Sequence, residues 1–253
     1  MDDHRKLAVV FIVLAFAYGS SGATPLVGAV SREAVAIGTN DMDSAGNVVC
    51  KMFEGDRIAI ARARETARVS GDSSGFAVDT APALRHATLL SPAGLDLNEH
   101  LKAAAITNAL LWKAYAVAHP DIVELQDHQK LLHDFSESLV IVTVRGGYPS
   151  LQLIEVQVSN WDNPVATIIH KEMPDGNFQF RWYGHDRDGE AEQPQFGSPL
   201  PAAKAALLAS ATNELLNQAS RANQDLLEFQ GRHVVIIADM NGIHWHDSTP
   251  ACE

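Results

Sequence analysis

Three short turn signals, Gly146-Gly147-Tyr148-Pro149, Met173-Pro174-Asp175-Gly176 and Met240-Asn241-Gly242, each stand between two apolar runs of strand length. Gly-Gly, Asp-Gly and Asn-Gly pairs reach the positive φ values that tight reversals need, so each signal predicts an antiparallel hairpin. The paired runs are residues 138–145 (SLVIVTVR) with 151–158 (LQLIEVQV), 165–170 with 177–183, and 233–239 (HVVIIAD) with 243–245. A chain that reverses this often between apolar runs builds antiparallel sheets.

Two more hairpins are expected nearer the N-terminus. Residues 24–30 and 34–39 (AVAIGT) flank Ser31-Arg32-Glu33, and residues 48–53 and 57–63 (RIAIARA) flank Glu54-Gly55-Asp56. Residues 40–47 form a polar loop between them. The pattern then changes period. Leu97, Leu101, Ala104, Ile106, Leu110, Leu111 and Tyr115 recur at helical spacing, with Asp96 or Asn98 to cap the start and Pro120 to end it. A short helix is expected within residues 80–90, and a second helical stretch over 122–136 with Leu125, Leu131, Leu132 and Phe135 inward. Residues 184–199 read as a polar loop, and 201–229 as a long amphipathic helix rich in alanine and leucine. Strands, helices, strands, one helix and strands again predict an α+β fold in layers, with sheets inside and helices outside. No linker-like composition divides the chain.

The first residues read separately. Residues 7–18 (LAVVFIVLAFAY) are an unbroken apolar run after Arg5 and Lys6. The run is shorter than the about 20 residues a membrane span needs, but it suits the core of a signal peptide. Ser21-Gly22-Ala23 puts small residues at the −3 and −1 positions of a cleavage site. The expectation is a leader over 1–23 and a mature domain over 24–253, secreted or periplasmic, with no membrane attachment after cleavage. The formal net charge of -12, from 31 acidic and 19 basic side chains, disfavours nucleic acid and anionic lipid as partners. Of two cysteines, Cys50 and Cys252, export would permit pairing, and two unpaired thiols are the alternative.

Cleavage after Ala23 would leave Thr24 with a free α-amine. Such a residue carries a nucleophilic hydroxyl and, within reach, its own base. Other chemistry finds less support. His244 and His246 share a strand face, as a zinc pair would, but spacing fixes no third ligand, so they read as surface histidines. Arg57, Arg62, Arg64 and Arg68 read as a solvated strand face balanced by Asp56 and Glu65. Walker, dinucleotide-binding and HExxH patterns do not occur. Neither a metal nor a cofactor is expected.

In this order the residues resemble a proteasome-β-type N-terminal nucleophile (Ntn) hydrolase. Thr24-Pro25-Leu26-Val27-Gly28 looks like that family's mature start. Residues 34–39 and Ala45-Gly46-Asn47 look like its second strand and turn, and Lys51-Met52-Phe53 with Asp56-Arg57-Ile58-Ala59 like its next hairpin. Residues 201–229, 233–239, Asn241-Gly242 and Ile243-His244-Trp245 look like its closing helix and strands. The resemblance implies a four-layer αββα sandwich of two antiparallel sheets, a peptide or small amide substrate, and homo-oligomeric assembly of the kind the family shows. It also implies roles: Thr24 as nucleophile, Lys51 to tune it, Asn40 to orient the lysine, and the backbone N–H near Arg64 to hold an oxyanion. Asn40 stands where the family has aspartate, Arg64 where it has glycine, and His185 where it has serine. Those departures point to the alternative, a secreted binding or structural protein on the same fold without activity.

Overall fold

Reversals of the chain set where most strands begin and end. The computed structural model describes residues 25–42, 48–62, 68–69, 78–118, 135–160, 162–182, 193–197, 204–224 and 229–246. In chain order these hold β1 (Leu26–Val30), β2 (Val35–Asn40), β3 (Met52–Gly55), β4 (Ile58–Arg62), β5 (Arg68–Val69) and β6 (Val78–Asp79). Then come α1 (Ala81–Leu89), a 3-10 turn (Pro92–Gly94), α2 (Leu97–Ala118), β7 (Phe135–Arg145), β8 (Tyr148–Ser159), β9 (Val165–His170), β10 (Phe178–Trp182) and β11 (Gln195–Phe196). The helix α3 (Ala205–Ala222) and the strands β12 (His233–Asp239) and β13 (Gly242–Trp245) close the order. The fold is mixed α+β with two main antiparallel sheets. One runs β11-β10-β1-β2-β12-β13, the other β3-β4-β7-β8-β9, and β5 with β6 makes a small ribbon.

Four of the five expected hairpins form. β1 pairs with β2, β3 with β4, β7 with β8, and β12 with β13. The β7–β8 turn is the two residues Gly146 and Gly147, both at positive φ (59° and 80°), where a side chain would be strained. Pairing then runs from Arg145 opposite Tyr148 to Phe135 opposite Val158. This corrects two boundaries. β8 begins at Tyr148 rather than 151, and Phe135 and Ser136, expected in a helix, open β7. The rest of that expected helix lies outside the described residues.

The fifth expected hairpin is a crossover. Among the described residues β9 pairs with β8 alone, whereas β10 pairs with β1 and β11 in the other sheet. The Pro-Asp-Gly turn does change the chain's direction, with Gly176 at φ 84°. Turn chemistry is local, however, and does not choose the strand's partner. β10 buries Phe178, Phe180 and Trp182 against the opposite sheet, a position that pairing with the exposed β9 would not offer.

Three apolar clusters show how the elements pack. Leu26, Ile37, Phe180, Trp182 and Ile236 of the six-stranded sheet meet Met52, Ala61, Val140 and Leu153 of the five-stranded one. Leu84 of α1 and Leu101, Ala105, Trp112 and Tyr115 of α2 cover the five-stranded sheet over Ile58, Ile60, Leu139, Ile141 and Val156. Leu208, Leu215 and Leu216 of α3 cover the six-stranded sheet over Val27, Ala36, Val235 and Ile237. Helical spacing misassigned part of α2: Leu110 is 43% exposed, and Asn108 is fully buried instead.

Arg62 is a further correction. Expected on a solvated face, it is 1% exposed. Its Nη1 donates to Thr80 Oγ1 at 2.6 Å and its Nη2 to the Cys50 carbonyl at 3.3 Å, beneath α1. Thr80 spends its hydroxyl there and makes no side-chain cap for the helix it precedes.

Candidate active site

The two residues nearest the start of β1 set the position of the site. Leu26 lies opposite Thr39 across the β1–β2 ladder, and Thr39 Oγ1 donates to the Pro25 carbonyl at 2.8 Å. The next residue along β2 is Asn40, which is fully buried. On the neighbouring sheet, Lys51 immediately precedes β3 and is only 2% exposed. Its ammonium spans the gap between the sheets: Nζ donates to Asn40 Oδ1 at 3.1 Å and to the Met42 carbonyl. The expected pairing of Lys51 with Asn40 is therefore present. Taking an ammonium out of water is costly unless oxygens replace its hydration, and these two contribute to that.

Asp41, one step on, faces away. Its carboxylate accepts the Arg232 backbone N–H at 2.8 Å and Arg232 Nε at 3.2 Å. That agrees with strand alternation, which sends residues 40 and 42 to one side and 41 to the other. Nothing in the residue pattern points to Arg232, which is remote in the chain and has no motif around it. Beside it, His233 stands opposite Asn40 in the β2–β12 register. His233 Nε2 meets Ser220 Oγ of α3 at 3.1 Å. Burial lowers the His233 pKa below its ordinary value, and the negative charge of Asp41 partly opposes this.

Gly28 of the mature-start pattern has a packing reason. A Cβ on Gly28 would lie 2.4 Å from Phe180 Cε1 and 2.8 Å from the Ala36 carbonyl oxygen, so only hydrogen fits between β1 and β10. Thr24, Arg64, His185 and Asp186 lie outside the described residues. Cys50, adjacent to Lys51, is disulfide-bonded. The other cysteine of the chain, Cys252, lies outside the described residues. No family model matches this chain, and none of the curated proteins matches its sequence.

Elsewhere the chemistry is sparser. His244 is an exposed residue of β13 opposite Ile237. Among the described residues no group of three or more His, Cys, Asp or Glu is arranged to hold a metal ion, and no helix is long and apolar enough to cross a membrane. A cleft of about 420 Å³ between the start of α2 and the β7–β8 hairpin, and a groove of about 450 Å³ between α1 and α2, share no residue with the lysine site. Among the described residues, the arrangement around Lys51 is thus a buried positive charge held by the Asn40 side chain and the Met42 carbonyl, near the start of β1.

Proposed function

We propose that this chain is an exported N-terminal-nucleophile hydrolase that cleaves amide bonds in peptides or small acyl amides. The observation that carries the reading is the buried Lys51–Asn40 pair, one register step from Pro25. Removal of residues 1–23 frees the Thr24 amine. A neighbouring ammonium favours the neutral form of that amine, which can then accept the hydroxyl proton. The hydroxyl oxygen attacks the carbonyl carbon, and the backbone N–H near Arg64 receives the developing oxyanion. The proton passes from the amine to the departing nitrogen as the C–N bond breaks. Water then hydrolyses the resulting ester and restores Thr24.

Three features support the reading. The apolar clusters follow the order helix, sheet, sheet, helix, consistent with a four-layer αββα sandwich. The disulfide at Cys50 suits an oxidising compartment outside the cytosol. The lysine is held in place by the residue the resemblance assigned to it. Assembly into homo-oligomers belongs to the same reading.

Asn40 itself favours a second reading, a secreted binding or structural protein. A neutral amide orients Lys51 but brings no charge to the site. One experiment separates the two. Intact mass locates the mature N-terminus, and incubation with an epoxyketone or β-lactone tests its reactivity. Adduct on the wild type and none on Thr24→Ala supports the hydrolase. A mature chain that starts elsewhere, or no adduct on either protein, leaves the binding protein.

A further inference from the structure

We infer that Asp41 is a positioning residue for Lys51, acting from the far side of the strand through its clamp on Arg232. Among the described residues, the two oxygens that receive the lysine flank this one residue: the Asn40 side chain precedes it and the Met42 carbonyl follows it. Asp41 is fixed on four bonds. Its carboxylate takes the two from Arg232, its own N–H donates to the Arg232 carbonyl at 3.1 Å, and its carbonyl accepts the Val49 N–H at 2.8 Å. Its side chain is 8% exposed. Charge-assisted bonds of this kind hold geometry better than neutral ones.

Close packing completes the clamp. A Cβ on Gly231 would lie 2.7 Å from Met42 Cβ and 2.8 Å from Met42 N, so the turn before β12 lies directly against the residue whose carbonyl receives the ammonium. The chain of contacts runs Arg232, Asp41, Met42, Lys51. Without the carboxylate, the Met42 carbonyl loses its side-chain anchor through residue 41, and the ammonium loses a fixed acceptor. In this inference Asp41 acts through the lysine. Its role in catalysis rests on the hydrolase reading; its hold on Lys51 does not.

The test reads the lysine first. Native protein is acetylated with a succinimidyl ester, and the rate at each lysine is followed by peptide mass spectrometry. Lys171 is the control, because its ion pair with Glu155 is largely buried but lies on β8 and the segment after β9. In Asp41→Ala and Arg232→Ala, Lys51 should acetylate about tenfold faster while Lys171 is unchanged, as expected for a local rather than global opening. Arg232→Lys should fall between these and the wild type. Arg232 is half exposed, so its variant will fold even if Asp41→Ala does not. Unchanged Lys51 rates in Arg232→Ala, or equal increases at Lys171, overturn the inference. The second measurement is the rate of epoxyketone capture at Thr24. Displacing a tuning group by about 1 Å can cost on the order of 10²-fold, so the maximal rate should drop while the half-saturating concentration stays fixed. If the wild type takes no epoxyketone, the hydrolase reading fails, and the acetylation rates still decide the positioning of Lys51.

Discussion

Lys51 Nζ and Asn40 Oδ1 meet at 3.1 Å with both side chains buried, across the gap between two sheets. The contact joins the end of one hairpin to the start of another, so it should stabilise the fold as well as the site. Asn40→Leu keeps the approximate volume and removes the acceptor. Leaving a buried donor short of an acceptor costs about 1–3 kcal/mol, and urea unfolding should show a loss of that size. Asn40→Asp restores an acceptor with charge and should be no less stable than the wild type. Equal stability of Asn40→Leu and wild type would show that the contact contributes nothing.

His233 gives the stability a pH dependence of definite sign. Burial lowers its pKa in the folded state, with Asp41 opposing, whereas the unfolded value is about 6.5. Between the folded and unfolded values the unfolded chain binds the extra proton, so stability rises with pH through that window. The contribution is complete above about 6.5 and is lost as the pH falls through the folded value. His233→Gln removes this term. As the pH falls below about 6.5 the wild-type urea midpoint should therefore drop further than the variant's, with the carboxylate titrations common to both.

The hairpin turns were legible because their chemistry is local. Gly146-Gly147 can adopt two consecutive positive φ values, and that alone brings β7 beside β8. The partner of β10 was not legible in this way, since β1 lies about 150 residues back and its claim on β10 comes from burying three aromatic side chains. Lys51 and Asn40 were found through resemblance to a known order of residues. Asp41 and Arg232 were missed because nothing near either residue in sequence refers to the other. Arg62 was misread because charge suggests solvent, while Thr80, Cys50 and the covering helix come from separate places in the chain.

Gly28→Ala tests the packing of β1 on β10. The added methyl would enter the Phe180 ring at 2.4 Å, and the Ala36 carbonyl at 2.8 Å blocks retreat on the other side. Overpacking of this kind typically costs about 1–3 kcal/mol. The double variant Gly28→Ala, Phe180→Leu should recover part of the loss by removing ring atoms from the contact. Calorimetry of the two variants reads both numbers. A methyl tolerated without loss would mean that the strands separate more freely than the register suggests.

The disulfide at Cys50 should be measurable without a structure. In denaturant without reductant, the native protein should show no titratable thiol. Breaking a native disulfide commonly costs about 2–5 kcal/mol, so reduction or Cys50→Ser should lower the melting temperature. The bridge begins one residue before Lys51, and its loss should also quicken acetylation of that lysine. Two free thiols in the untreated protein would remove this account.

Arg62 offers the sharpest energetic test, because it is a charge buried to 1% exposure. Burial lowers its pKa, and the negative charges of Glu137 and then Asp79 work against that fall. Glu137 is equally enclosed and accepts Asn108 Nδ2 at 2.7 Å from α2. The two ions therefore tie β4 and β7 to the helices that cover them. Removing one partner should leave the other as an uncompensated charge in the interior, at about 3–5 kcal/mol for either Arg62→Met or Glu137→Gln. Removing both leaves no buried charge on this pair. The double variant should then lose less than the sum of the singles, with a coupling of about 0.5–3 kcal/mol from a urea double-mutant cycle. Strict additivity would mean that Arg62 is held by Thr80 and the Cys50 carbonyl alone, with Glu137 energetically separate.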